Sequence, residues 1–195
     1  MPLTPSPRGR PAGTSSAQTR QRIITATIRR VATVGPSGAT IREIATAAEM
    51  TSASLYHYFP NKAELLAAAV TAAKEIALPR LHAAAQRGHT VADRLAAVVA
   101  EADRVSQDHP HLAAFERAVG APAPLRVVLG ELVDEARRGG SLATEVDTQG
   151  AADAVYALTR GLTEQAAQLS PDAYSATLRC AEDLLRGTLF SAPCF

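Results

Sequence analysis

From Ser16 onward, apolar residues recur at helical spacing, and the chain lacks the alternating β-branched runs that mark half-buried strands. Ile24, Ile28, Val31 and Ala32 form the inner stripe of a helix predicted over residues 16–34. Gly35-Pro36-Ser37-Gly38 ends it with a capping glycine and a helix breaker. A shorter stripe follows, in which Ile41, Ile44, Ala45 and Ala48 recur at i, i+3, i+4 and i+7 and leave Arg42, Glu43 and Thr46 outside. Thr40 precedes this run and Glu43 stands three residues on, the spacing of a capping box. Thr51 is the next cap candidate; beyond it Leu55 and Phe59 lie one turn apart, and Pro60 closes the pattern. Residues 40–59 therefore read as two short helices joined by a tight corner, a helix-turn-helix, and with the first helix they complete a three-helix head.

After Lys62 the pattern becomes a series of helices punctuated by glycine and proline. A long helix is predicted over 62–87, kinked or divided at Pro79, followed by helices at about 90–107, 111–119, 122–138, 148–169 and 171–189. The expected fold is all-α: an arm over 1–15, a head over 16–62 and a larger helical body over 63–195. On the last two helices, Val155, Leu158, Leu162 and Leu169, then Tyr174, Leu178, Ala181, Leu185 and Leu189, form apolar stripes, and Gly150, Ala154, Ala157 and Gly161 form a small-residue stripe beside the first. A helix with two such faces calls for two partners: the body of its own chain and a second copy, paired into a four-helix bundle about a two-fold axis. Val155, Leu158, Leu162, Tyr174, Leu178 and Leu185 are the expected homodimer contacts; burial of both helices inside one domain is the other reading.

Charge sharpens the picture of the head. The net charge of +1 conceals eight basic against two acidic side chains through Lys62, and 12 basic against 17 acidic beyond it. Positive charge thus gathers where a helix-turn-helix would meet DNA. Ser52, Ala53 and Ser54 are small enough for close approach to base edges, with Thr40, Arg42 and Thr51 beside them. Tyr56, His57, Tyr58 and Lys62 have the chemistry of phosphate contacts, although the three aromatics also fit half-buried positions of a small helical domain. Arg8 and Arg10 suit either a minor-groove arm or a solvated tail.

The segment Ile41-Arg42-Glu43-Ile44-Ala45, Ala48, Leu55 to Phe59, Asn61-Lys62 and Leu65-Leu66, with Tyr56, Phe59 and Lys62 three apart, resembles the N-terminal DNA-binding domain of the TetR family of bacterial transcriptional regulators. The resemblance runs from about Arg20 to Val70. It implies a sequence-specific regulator that pairs through its last two long helices, reads a palindromic operator and releases it when a small-molecule effector binds, repression being the family's commoner mode. It also implies an effector pocket in the body, for which His82, Gln86, Val98, Leu112, Phe115, Glu116, Leu129, Val133, Tyr156 and Arg160 are candidates; the effector itself is not specified. Two positions depart from the family pattern. Val31 stands where phenylalanine is common, and Glu49 occupies a corner usually held by glycine, where a side chain at positive φ costs about 1 kcal/mol.

Other classes find little support. There is no nucleophile elbow, phosphate-binding glycine loop, HExxH or paired ligand motif, and His109-Pro110-His111 reads as a loop, so neither catalysis nor a cofactor is expected. Cys180 and Cys194 lack metal-ligand spacing and fit a reduced cytoplasmic protein. No apolar run approaches the ~20 residues of a membrane span. The basic N-terminal stretch lacks the apolar segment of a secretory signal and is expected to be disordered. The alternative function is a helical adaptor that binds proteins and uses its head only for packing.

Overall fold

The computed structural model describes residues 16–187, so the arm with Arg8 and Arg10, and the C-terminal Leu189 and Cys194, lie outside the described residues. Among the described residues there are nine helices and no strand: α1 Ser16–Gly38, α2 Ile41–Ala47, α3 Ser52–Tyr56, α4 Lys62–Ala85, α5 Val91–Asp108, α6 Leu112–Val119, α7 Pro124–Arg138, α8 Thr148–Gln165 and α9 Pro171–Arg186. Gly35, at φ 74° and ψ 167°, breaks the helical path inside α1. The first helix therefore turns where the glycine predicts, and a short helical turn carries the chain on to Ala39.

Pro79 does not divide α4. The helix runs through it unbroken, because Pro79 and Glu75 both face solvent and water can satisfy the Glu75 carbonyl that proline leaves without a donor. Toward the core α4 presents alanine at 69, 72, 73, 77, 84 and 85, a surface against which neighbouring helices approach closely. α8 ends at Gln165 rather than near 169.

One apolar core crosses residue 62. Ile23, Ile24 and Val31 of α1, Ile44, Leu55 and Phe59 of the helix-turn-helix, Leu65 and Leu81 of α4, Phe115 of α6 and Leu129 of α7 belong to the same cluster. α6 lies along α1, and α4 contacts both. Glu101 of α5 is buried and accepts from Arg80 of α4 at 2.8 Å and from Arg104 of its own helix at 2.7 Å. Burial alone would raise its carboxyl, but those two guanidiniums outweigh it and hold it below the usual carboxylate range.

α9 is attached through α5 and α8 by a smaller cluster of Val99, Leu162 and Ala181, flanked by Val155, Leu158, Leu178 and Leu185. Tyr174 is buried and donates its hydroxyl to Asp103, whose other oxygen accepts from Gln107 at 2.7 Å. Burial and that carboxylate push the phenol above its ordinary value. Two of the residues expected to meet a second copy are taken up inside the chain instead. Leu162 and Tyr174 are buried within the chain, and Val155, Leu158, Leu178 and Leu185 are half-buried along the same seam. The stripes left outward are Gly150, Ala154, Ala157 and Gly161 on α8, and Ala173, Ala176, Cys180 and Leu184 on α9, with Leu184 47% exposed. Larger side chains remove more apolar area from water, so all of these but Leu184 turn to the body and the small ones face out.

Candidate nucleic-acid interface and cavity

Local hydrogen bonds build the helix-turn-helix. Thr40 accepts from the Glu43 amide at 3.2 Å, and Glu43 accepts from the Thr40 amide at 3.0 Å, completing the capping box. Glu43 also receives Nη2 of Arg30 at 2.5 Å, which fastens α2 to α1. The Thr40 amide and then Arg30 hold its carboxyl down at about 2. At the corner the Met50 amide donates to the Ala45 carbonyl at 2.9 Å, and Glu49 adopts φ 56°, the one positive φ outside glycine among the described residues. Thr51 then caps α3 by accepting from the Ser54 amide at 3.1 Å. Glycine adopts this backbone without the Cβ penalty. Glu49→Gly is therefore expected to stabilise the protein by about 1 kcal/mol. A rise in the chemical-denaturation midpoint checks it, and an unchanged midpoint would mean that the Glu49 side chain offsets the strain.

α3 is only five residues long and ends at Tyr56, earlier than the helix expected through Phe59. The chain leaves it as a turn, with the Tyr58 and Phe59 amides donating to the Leu55 carbonyl at 2.9 and 3.1 Å, before Pro60. Leu55 and Phe59 point into the core at 0% and 2% exposure. Thr40, Arg42, Thr51, Ala53, Tyr56 and His57 are exposed, Tyr56 to 50%, while Ser52, Ser54 and Lys62 are partly so. Tyr58 packs against the core as a half-buried aromatic. Two supports escaped sequence reading. Asn61 caps α4 by accepting from the Glu64 amide at 2.9 Å, and Arg20 sits 4.9 Å above the Phe59 ring, tying α1 to the exit of α3.

The body contains a cavity of about 360 Å³ bounded by α4 to α8 and the connection between α6 and α7. Leu112, Glu116, Tyr156 and Arg160 line it as expected. The other expected contacts do not. His82 is exposed and bonds Glu131 at 2.9 Å, and Gln86 is exposed where it ends α4. Phe115, Val98, Leu129 and Val133 are buried core residues absent from the cavity wall; Phe115 instead lines a small crevice behind Glu116 with Lys74. Arg117, Arg126, Thr159 and Thr163 were missed. Tyr156, Thr159, Arg160 and Thr163 recur at i, i+3, i+4 and i+7, a polar stripe that a helical projection of α8 reveals. Arg126 pairs with Asp153 and lies 5.5 Å from the centre of the Tyr156 ring. Burial pushes the Glu116 carboxyl up to about 7 even though the Arg117 charge opposes this. Among the described residues no cluster could hold a metal ion, and no helix is long and apolar enough to cross a membrane.

A capped helix-turn-helix with an exposed second helix, carried on an all-helical body with a cavity, is the architecture of a DNA-binding regulator. Residues 23–69 match the model described as bacterial regulatory proteins, tetR family. Over those residues the chain is similar to that family of regulators. No curated protein matches it. Among solved structures it is similar to a putative tetR family transcription regulator from Shewanella sp. PV-4, with 17% identity, 86% of this chain and 95% of that one covered, and a TM-score of 0.69. It is also similar to the regulator FadR from Bacillus subtilis, solved in complex with stearoyl-CoA, at 16% identity over 87% and 99% of the chains and a TM-score of 0.67. AibR, solved with isovaleryl coenzyme A and operator DNA, shares 19% identity over 85% and 97%, with a TM-score of 0.59. At these identities the likeness is one of fold.

Proposed function

We propose that the chain is a homodimeric repressor that reads a palindromic operator in the cytoplasm and leaves it when a small molecule fills the cavity. One observation carries the link between the two sites: α6 supplies Leu112, Glu116 and Arg117 to the cavity and lies along α1 of the head. A ligand that shifts α6 therefore acts on the head directly, and it favours one head arrangement only by its difference in affinity between the two. The division of labour is a DNA-reading head over 16–62 and a ligand-binding, pairing body over 63–195. Arg42, Thr51, Ser52, Ala53 and Ser54 stand nearest the bases with Thr40 beside them, and Tyr56, His57, Lys62 and the half-buried Tyr58 serve the phosphates. The outward small-residue stripes of α8 and α9 supply the pairing surface, and two heads about 34–36 Å apart match successive turns of DNA. AibR, with its bound operator and thioester, is a precedent for both partners in one molecule of this fold.

Mobility-shift titration with the DNA upstream of the protein's own gene tests this reading. The expected result is a shifted complex whose affinity falls steeply with salt. A chain that dimerises but shifts no DNA at low salt would support the adaptor instead.

A further inference from the structure

The residues around the cavity sort by depth. Leu81, Val105 and Leu112 are 2%, 7% and 4% exposed and form an apolar floor from α4, α5 and α6. Arg117 and Arg126 are exposed and Arg160 is half-buried, so three guanidiniums stand at the mouth. Arg126 and Arg160 are partly balanced by Asp153 and by Glu164 at 3.6 Å, whereas Arg117 acts on Glu116 through charge alone. Glu116, half-buried, is the one carboxyl of the cavity lining.

Taking the cavity as the effector site proposed above, we infer that its ligand is an acyl chain ending in a carbonyl that carries or adjoins negative charge, the chain lying on Leu81, Val105 and Leu112, the anionic group at Arg117, Arg126 and Arg160, and the carbonyl accepting a hydrogen bond from the Glu116 carboxylic acid. A cationic ligand would meet three guanidiniums. A plain hydrocarbon would leave the Glu116 acid without a partner in a desolvated place, which is costly. A small hydrophilic anion would leave the floor unused. At about 360 Å³ the cavity is at the small end of ligand sites, which favours a short or medium chain. Free fatty acids and acyl thioesters of coenzyme A share this chemistry.

Recognition of this kind is linked to a proton. The ionisable groups facing Glu116 are Arg117 on its own helix, Lys74 of α4 across the small crevice, Arg126 of α7, and Tyr156 and Arg160 of α8; α1 and α5 bring none to either cavity. With the carboxyl titrating at about 7, a ligand that needs its acid form binds with roughly constant affinity below that pH and about tenfold more weakly per pH unit above it. Binding near pH 7 takes up about half a proton.

Titration calorimetry of the full chain, in two buffers of different ionisation enthalpy, tests this with butyryl-, octanoyl- and palmitoyl-CoA, the matching fatty acids, and coenzyme A alone. Saturable binding of either acyl class with proton uptake is expected, and which class binds names the source. Glu116→Gln keeps a donor at the same place, so it should bind within a few-fold of the wild type and lose the uptake. Because the phosphate of coenzyme A also titrates in this range, the difference between wild type and E116Q is the decisive quantity. Failure of every acyl compound to bind, coenzyme A binding as tightly as its thioesters, or uptake unchanged in E116Q would each overturn the inference. Operator release measured in parallel separates the two readings. Proton-linked binding that leaves the operator complex intact refutes the effector role alone, and release driven by proton-independent binding refutes this inference alone.

Discussion

Phe115→Ala is expected to lower the unfolding free energy by about 3–5 kcal/mol, the usual range for deleting a fully buried aromatic ring. Phe115 is 0% exposed and belongs to the cluster that also holds Ile23 and Ile24 of α1 and Leu65 of α4. A cavity opened there weakens the packing of α6 on both head and body. Since one core spans both, the loss should appear as a single cooperative transition moved to lower denaturant, followed by far-UV circular dichroism. A cost under about 1.5 kcal/mol would mean that the core around α6 collapses to fill the space. Two separate transitions, with only the body destabilised, would show that the head folds on its own.

Tyr56→Ala and Lys62→Ala are expected to weaken operator binding in two distinguishable ways. A hydrogen bond to a charged phosphate contributes roughly 1.5 kcal/mol or more, and a dimer loses it twice, so Tyr56→Ala should cost about 3 kcal/mol, near a hundredfold in Kd. Tyrosine is neutral, so the slope of log affinity against log salt should stay the same. Lys62→Ala removes one phosphate contact per protomer and should lower that slope by about 2 as well as weakening binding. Both replacements lie at partly or fully exposed positions, so stability should hardly change. A Tyr56 variant that binds at full strength would remove α3 from the proposed interface.

How much of this could be read from the residues depends on the range of the interaction concerned. Thr40 with Glu43, Thr51 with Ser54 and Gly35 in its turn are contacts between near neighbours in the chain, so spacing alone revealed them. The positive φ of Glu49 was legible through the family resemblance, since a corner usually held by glycine signals that backbone. The length of α3 was not, because Leu55 to Phe59 suits a helical turn and a looser one equally well. His82 looked like a pocket residue until Glu131, distant in sequence, was found beside it. The ion pair of Arg30 with Glu43, 13 residues on, likewise had no signal in the spacing.

The amino-acid sequence by itself determined the helices, their caps, the helix-turn-helix and the concentration of positive charge near it. These follow from side chains within about one helical turn of each other and from composition, neither of which needs a third dimension. Tertiary structure alone decided which stripe of α8 and α9 meets the body, that α6 joins the cavity to α1, and that a desolvated Glu116 shares its cavity with three arginines. Those outcomes come from helices remote in sequence competing for the same buried surface, and the burial that sets the Glu116 proton exists only after they have packed.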